Sequence, residues 1–240
     1  MPNTSRRLAV LGFHKIGPPP PGYLSTWFYI SESVFEGYLR WLQGSAWRVI
    51  DAETFLHGLD FPDGLPECAV LLTFDDGYHS MRRIVLPQLR SFGFSSVLFV
   101  PVSYIGSTNS FDAGVEPEEP ICDWDDLEDL QRGKVSVQSH GVTHRRLSML
   151  DDAQLRYEIE HSKISIESQM GHAVKIFSFP YGDNGCEPRV TAAVLREAGY
   201  SAAFLYGGGP NVVPPRDRFA LQRLAMGPDT DLATSLLGVA

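Results

Sequence analysis

Short apolar runs alternate with longer amphipathic segments along almost the whole chain. The runs have the length and the β-branched and aromatic content of strands. We predict strands at residues 8–13, 49–50, 69–72, 96–100, 135–138, 176–179, 202–205 and 219–224. The amphipathic segments repeat apolar residues at helical spacing, and several follow a Ser or Asp that can cap a helix. We predict helices at residues 33–42, 52–59, 80–91, 124–131, 151–170, 188–198 and 229–237.

Strands that alternate with helices indicate a parallel sheet with right-handed crossovers. About seven such strands can form either an open doubly wound sheet or a barrel, and periodicity does not separate the two. The chain has no internal repeat and no shift in composition that would mark a domain boundary. We therefore predict a single α/β domain over residues 1–240, with the choice of architecture open at this point.

The composition narrows the classes of partner. The chain has 240 residues, of which 43% are hydrophobic and 20% charged, as in an ordinary soluble protein with a sizeable core. A net charge of −9 without a basic cluster argues against nucleic acid and anionic membranes as partners. No stretch reaches transmembrane length, and the apolar run at 8–13 is too short for a signal-peptide core, so the sequence as given predicts a cytoplasmic protein.

The apolar run at 69–72 leads through Thr73 and Phe74 into two adjacent carboxylates, Asp75 and Asp76, and then into a glycine. Two neighbouring aspartates at the end of a buried strand repel each other and are costly to desolvate unless a cation or hydrogen bonds compensate. In α/β folds, ligands and catalytic groups collect at the carboxyl ends of strands. Taken alone, the pattern fits equally well an Asp-Gly turn with both carboxylates in water.

Two histidines, His140 and His144, follow another apolar run and are separated by residues that suit a loop or a single turn. Such a turn can aim both imidazoles at one point. Two neutral imidazoles and one carboxylate are typical of a catalytic Zn²⁺ or similar divalent site with coordination left open for water. Surface histidines at this spacing are common, but a pair at one strand end in a chain with two aspartates at another favours the metal site.

A third apolar run ends in the turn FPYG at 179–182. The proline there has no amide donor and the glycine permits close backbone approach, so the Tyr181 amide is free to point into a site.

The chain resembles the polysaccharide deacetylases of carbohydrate esterase family 4, which share a domain with the rhizobial chitooligosaccharide deacetylase. The resemblance is carried by three motifs in the family's order: TFDDGY at 73–78, SHGVTH at 139–144 and FPYG at 179–182. The resemblance spans roughly residues 8–224. It implies a distorted (β/α)7 barrel and a hydrolase that removes the N-acetyl group from an amino sugar in a polysaccharide, oligosaccharide or glycolipid precursor.

The resemblance also implies roles for individual residues. Asp76, His140 and His144 would bind a divalent ion, Zn²⁺ or in its place Co²⁺ or Ni²⁺. Asp75 would act as the general base, and the Tyr181 amide would stabilise the tetrahedral oxyanion. These roles suit the chemistry, because an amide carbonyl is a poor electrophile that needs polarisation, a more acidic water and a proton acceptor beside it.

The chain departs from the family pattern at three places. Members often have an arginine where this chain has Ser178, so Asp75 needs another partner, and Arg223 on the last predicted strand is our candidate; the alternative is a surface arginine. No histidine follows His172, so the family's C-terminal general acid cannot be carried over. His14, at the end of the first strand, resembles a histidine of the exopolysaccharide branch. It could bind substrate or assist protonation, and a buried structural role is the alternative.

Three functions remain open from the sequence: the N-deacetylase, a non-catalytic carbohydrate-binding relative, and a hydrolase of another C–N bond such as a formamide or a ureide. The intact set of both aspartates and both histidines favours the deacetylase, because a binding module needs no base beside an open metal site. The loop at 103–120, rich in Gly, Pro and Glu, is a candidate substrate rim. Sugar, linkage, chain length and oligomeric state do not follow from the sequence.

Overall fold

A curled, largely parallel sheet forms the centre of the structure, a computed structural model that describes residues 6–237. A short two-stranded sheet, formed by the second and third strands of the chain, lies apart from it. The strands in chain order are β1 (Arg7–Phe13), β2 (Lys15–Ile16), β3 (Tyr29–Ile30), β4 (Arg48–Val49), β5 (Cys68–Phe74), β6 (Ser96–Val100), β7 (Val135–Ser139), β8 (Ile176–Ser178), β9 (Ala202–Phe204), β10 (Asn211–Val212) and β11 (Leu224–Ala225).

Helices follow most of the strands and cover the outside of the sheet. The side chains of Ser31, Asp51, Asp123 and Asp151 each accept a hydrogen bond from a backbone amide three residues on, and so cap the helices that the sequence predicts after them. The helices are α1 (Glu32–Gly44), α2 (Ala52–Asp60), α3 (Leu86–Phe92), α4 (Trp124–Arg132), α5 (Asp152–Arg156), α6 (Ser162–Met170), α7 (Pro188–Glu197) and α8 (Leu232–Leu237).

Two predicted helices contain π-helical turns, one at Met81–Val85 before α3 and one at Tyr157–His161 between α5 and α6. Such turns insert one residue into the helical repeat and often occur at functional sites. The last helix begins at Leu232, three residues after its predicted start, because Asp231 caps it.

The sheet curls back to its first strand. Its order is β10-β1-β5-β6-β7-β8-β9, and β11 pairs in parallel with β1. A bridge between Phe204 and Leu221 joins β9 to the segment that enters β11. The distorted (β/α)7 barrel is therefore confirmed and the open doubly wound sheet is not adopted. The predicted bounds of the domain, 1–240, reach beyond the described residues and stay a prediction.

The segment predicted as a strand at 219–224 is only partly a strand. Regular pairing covers Leu224–Ala225, and the residues before it make isolated bridges to the end of β9 and the loop after it. The antiparallel β10 falls outside the predicted strands, because two residues on a sheet edge leave no periodic pattern.

Two apolar clusters lie on opposite faces of the sheet, because successive side chains along a strand alternate between faces. One cluster joins Leu8, Val10, Leu71 and Phe99 to the apolar face of α2, and the other packs the opposite face against the surrounding helices. The interior face becomes polar toward the carboxyl ends of the strands. None of the helices in the described range has both the length and the apolarity needed to cross a membrane.

Removing an aromatic side chain from the core tests this packing. Phe35 is fully buried and packs against Phe13 and Phe74, with ring centroids 5.5 and 5.9 Å away. We expect Phe35→Ala to lower the free energy of unfolding by about 3–5 kcal/mol, measured by urea denaturation. The control Phe61→Ala removes a ring that is 62% exposed and should cost no more than about 0.5 kcal/mol. Equal losses for the two variants would contradict the packing described.

Candidate active site

The three sequence motifs meet in one cavity of about 450 Å³ at the carboxyl ends of the parallel strands. Adjacent pairing of β5, β6, β7 and β8 brings the ends of these strands to one edge. The predicted rim loop at 103–120 contributes Phe111, Asp112, Val115 and Glu116 to the wall of this cavity. The loop therefore lies where the sequence analysis expects it, although its role toward a substrate stays a prediction.

Asp76, His140 and His144 lie together and are buried. Their potential ligand atoms are all within 4.8 Å of one another. Oδ1 of Asp76 is 3.1 Å from Nε2 of His144 and 3.5 Å from Nε2 of His140, yet within the described residues it has no hydrogen-bond partner. A buried carboxylate oxygen without a partner, facing two imidazole nitrogens, fits a divalent cation site.

The two histidines are oriented in different ways. Nδ1 of His140 lies 2.7 Å from the Ser178 carbonyl, which can only accept, so this nitrogen carries the proton and Nε2 is free to act as a ligand. Burial lowers the pKa of His140 to about 4, and the imidazole is therefore neutral near pH 7. The His144 ring packs against Phe111 and Tyr181, but within the described residues its Nδ1 has no hydrogen-bond partner.

Backbone strain is concentrated at this cavity. Asp76, His144 and Tyr181 have φ angles of 70°, 55° and 57°, and in the described chain Lys134 is the one further non-glycine residue with positive φ. This left-handed region costs a non-glycine residue about 1–3 kcal/mol and persists only where the surroundings enforce it. Strain of this kind is typical of functional sites.

Asp75 forms a two-point ion pair with Arg223. Nη1 and Nη2 of the guanidinium each lie 2.7 Å from one carboxylate oxygen, and the arginine side chain is fully buried. Its Nε donates to the Leu205 carbonyl at 2.8 Å, and Nη2 also donates to the Ser178 hydroxyl at 2.9 Å. The serine that replaces the family arginine thus hydrogen-bonds the guanidinium. The alternative of a surface arginine at position 223 is wrong, while its role in turnover stays a prediction.

The ion pair determines the charge of Asp75. Burial alone would raise the pKa of this carboxyl, but the nearby Arg223 and His140 hold it below its ordinary value of 3.8. Asp75 is therefore ionised at neutral pH. Its Oδ2 lies 3.9 Å from Nε2 of both His140 and His14, beside the Asp76 group without belonging to it.

The two remaining predicted residues also line the cavity. His14 packs against Phe28 and edge-on against Tyr206, and burial lowers its pKa. Within the described residues, the Tyr181 amide donates no backbone hydrogen bond to residues outside its own 3-10 turn. The Tyr181 hydroxyl donates to Asp112 of the rim loop at 2.9 Å. The proposed actions of both residues on a substrate stay predictions.

Three features were missed by the sequence analysis. The Tyr206 hydroxyl is buried without a hydrogen-bond partner in the described residues, and the position of this tyrosine just after a predicted strand was an available signal. Lys15 and Glu116 form a buried ion pair of 2.7 Å that connects the rim loop to β2 of the small two-stranded sheet. Glu158 is a buried carboxylate in the π-helical turn after α5. No local pattern distinguishes it from a solvent-facing helix position.

The sequence profile of the family described as "Polysaccharide deacetylase" matches residues 63–203. This range holds all three motifs and excludes His14 and Arg223. The Bacillus subtilis (strain 168) protein YxkH, whose name places it among the polysaccharide deacetylases, is 23% identical over 201 residues, which are 83% of this chain and 66% of YxkH. The chain thus spans about two thirds of the length of that relative.

Solved structures share the fold at low sequence identity. The deacetylase PplD of Streptococcus pyogenes has a TM-score of 0.82 at 15% identity, covering 97% of this chain and 99% of its own. The de-N-acetylase of Aggregatibacter actinomycetemcomitans has a TM-score of 0.79 at 21% identity, covering 95% and 98%. IcaB from Ammonifex degensii has a TM-score of 0.75 at 23% identity, covering 93% of each chain.

The ion pair predicts a specific pattern of stability. In metal-free protein at pH 7, Arg223→Met should lower the free energy of unfolding by about 3–5 kcal/mol, because the Asp75 charge is left buried and unpaired. The double variant with Asp75→Asn should recover much of this loss.

The ion pair should also make stability depend on pH. The pKa of Asp75 is lower in the folded than in the unfolded state, so the pair stabilises wild type at pH 7, and this contribution disappears as the pH falls through the folded pKa. Urea denaturation at pH 7 and at a pH below the folded pKa of Asp75 measures these differences. Additive losses of unfolding free energy in the double variant would contradict the ion pair as the cause.

Proposed function

The chain belongs to the polysaccharide deacetylase family, and we propose that it is a metal-dependent hydrolase that removes the N-acetyl group from an amino sugar in a polysaccharide, oligosaccharide or glycolipid precursor. The observation that carries this proposal is the arrangement of Asp76, His140 and His144 beside the separately held Asp75. A carbohydrate-binding relative has no need for an ionised, arginine-oriented carboxylate next to a metal-ligand set. The arrangement therefore favours hydrolysis over binding alone.

The donor set suits a divalent ion of borderline softness, so we propose Zn²⁺, with Co²⁺ or Ni²⁺ able to replace it. Asp76, His140 and His144 would hold the ion. When bound, it would supply Lewis-acid polarisation of the amide carbonyl and a water of lowered pKa. The buried, partnerless Oδ1 of Asp76 and the free Nε2 of His140 support this assignment.

We propose that different side chains and one backbone amide accept the proton, orient the acceptor and stabilise the negative charge that forms on the carbonyl oxygen. Asp75 accepts the proton of the attacking water, because it is ionised and fixed in one orientation. Arg223 is a positioning residue, since its planar donors hold both oxygens of that carboxylate. The Tyr181 amide donates to the carbonyl oxygen as that oxygen becomes negative. His14, on the same cavity wall as Asp75, contacts the substrate or assists protonation of the leaving amine.

The direct test of the function is acetate release from a panel of N-acetylated oligosaccharides that differ in sugar, linkage and length. The assay is run with and without a chelator and then after readdition of Zn²⁺, Co²⁺ or Ni²⁺. We expect chelator-sensitive acetate release with at least one glycan. Formate or ammonia release from formylated or ureido substrates, without acetate release, would favour the other C–N hydrolase. Glycan binding without any product would favour the non-catalytic relative.

The metal assignment gives a further prediction. His140→Ala and His144→Ala should each lose bound Zn²⁺, because each removes one of three proposed ligands; elemental analysis of dialysed protein measures this. His57→Ala is the matched control, since His57 packs on Phe61 far from the motif residues in sequence and does not line the cavity. Stoichiometric Zn²⁺ in both motif variants would refute the assignment.

The adjacent aspartates should give different phenotypes. Asp75→Asn should abolish acetate release while Zn²⁺ stays bound, because the change removes proton acceptance and no proposed ligand. Asp76→Asn should weaken Zn²⁺ binding itself. Single-turnover assays and metal titrations on the two variants measure these effects. If the phenotypes are reversed, the roles of the two carboxylates have been exchanged.

A further inference from the structure

Glu158 is a buried carboxylate directly behind the loop that carries both histidines. It is 3% exposed and lies in the π-helical turn Tyr157–His161. One carboxylate oxygen accepts the backbone amides of Val142 and Thr143 at 2.6 and 2.9 Å, and the other accepts the Thr143 hydroxyl. Within the described residues it forms no ion pair. A buried carboxylate without a cation is costly unless hydrogen bonds satisfy it, so this side chain depends on the loop for its partners.

The loop is shaped to receive this carboxylate. Gly141 has a φ of 80°, and a Cβ at that position would come within 3.0 Å of the nearer Glu158 oxygen. Glycine is therefore favoured at position 141 both by the backbone conformation and by the close approach. The two amides bound by Glu158 belong to the residues immediately before His144, whose own φ is 55°. The carboxylate thus holds the backbone at the point where it enters the strained conformation.

The same helical segment also holds the start of the loop. The Ser162 hydroxyl lies four residues after Glu158, on the same side of the helix, and is 2.7 Å from the Ser139 hydroxyl. The Ser139 hydroxyl in turn accepts the Gly141 amide at 3.2 Å. The loop from Ser139 to His144 is therefore fixed near both ends by side chains from the segment that contains the π-helical turn.

His144 needs this support more than His140 does. The His140 ring is oriented by its own hydrogen bond to a backbone carbonyl, whereas in the described residues Nδ1 of His144 has no partner. The direction of Nε2 of His144 therefore depends on aromatic packing and on the position of its backbone. Among the described residues, Glu158 is the charged side chain that hydrogen-bonds this backbone, through the amides of Val142 and Thr143. The backbone amides of Val102 and Ser103 hold the preceding carbonyls of the same loop.

We propose that Glu158 is a positioning residue that sets the divalent-metal affinity of the site by holding the Val142–Thr143 backbone, and with it the imidazole of His144. The inference rests on the proposed metal site and adds a determinant outside the ligand set and outside the three motifs. Groups that hydrogen-bond a metal ligand directly are worth about 10–100-fold in metal affinity. We expect an effect in this range because Glu158 bonds the amide of Thr143, the residue next to His144.

The variants should separate positioning from general stabilisation. Glu158→Ala leaves two buried amides unpaired and should weaken Zn²⁺ binding about 10–100-fold. Glu158→Gln can still accept those amides and donate to the Thr143 hydroxyl, so it should bind Zn²⁺ within about tenfold of wild type. Glu167→Gln is the matched control: it makes the same chemical change on α6, where the carboxylate bonds Lys163 and the Val174 amide and does not contact the loop.

The test titrates Zn²⁺ alone against a competing chromophoric chelator and measures the melting temperature of each protein with and without Zn²⁺. For Glu158→Ala we expect a weaker Kd and a smaller Zn²⁺-induced rise in melting temperature. Glu167→Gln should keep the wild-type Kd and the wild-type rise. A merely structural role would lower the melting temperature of both forms equally and leave the Kd unchanged, and that result would overturn the inference.

Two further outcomes are decisive. If Glu158→Ala does not fold, Glu158→Gln combined with Thr143→Val takes its place, because the new amide group then has no hydroxyl partner. A wild-type Kd in that double variant would overturn the inference, and a Kd weakened beyond that of Glu158→Gln would support it.

The wild-type protein distinguishes failure of the metal site from failure of this inference. If wild-type protein itself binds no Zn²⁺, the proposed metal site fails and this inference fails with it. Normal Zn²⁺ binding by wild type together with unaffected variants refutes the role of Glu158 alone.

Discussion

Two ionisable carboxylates on consecutive residues, both buried at the end of β5, are the constraint on which the rest of the site depends. Like charges this close cannot both be ionised in a low-dielectric interior without separate compensation. The guanidinium of Arg223 balances the negative charge of Asp75 through two hydrogen bonds, and Asp76 lies against the imidazole nitrogens of His140 and His144. Asp76 has a left-handed backbone, so the two adjacent carboxylates have different partners: Asp75 pairs with Arg223, and Asp76 belongs to the candidate metal-ligand group.

Closure of the barrel brings Arg223 into contact with Asp75. Arg223 lies immediately before β11, which pairs with β1. β1 pairs along its whole length with β5, which ends at Phe74, the residue before Asp75. The guanidinium reaches the carboxylate across the interior because the last strand returns to the first. An open doubly wound sheet would not return its last strand to the side of its first. The choice between barrel and open sheet, which periodicity could not make, is therefore also a condition for an ionised Asp75.

The parts that were predictable from sequence are those encoded locally. The motif residues follow strand-length apolar runs, and the ends of parallel strands share an edge, so their convergence could be predicted. The starts of the helices that follow a capping Ser or Asp could be predicted, because the side chain of the capping residue accepts a hydrogen bond from one of the unpaired backbone amides in the first turn. Glu158 could not, since it occupies an ordinary polar position in an amphipathic helix and its partners lie on a distant loop. Arg223 was selected as a candidate because it lies on the last predicted strand, although the pairing of its segment is mostly isolated bridges rather than a regular strand.

Strain at the cavity links stability to metal binding. Each left-handed residue costs about 1–3 kcal/mol, and hydrogen bonds from buried groups around the loops keep it in place. If Glu158 holds His144 as proposed, we expect its removal to let His144 relax from its φ of 55° toward an ordinary conformation, so that relief of strain offsets part of the lost hydrogen bonding. The folded protein then loses less stability than the broken contacts suggest, while the imidazole loses its direction toward Asp76. For the proposed metal site, we therefore expect metal affinity to be a more sensitive measure of the supporting contacts than the free energy of unfolding.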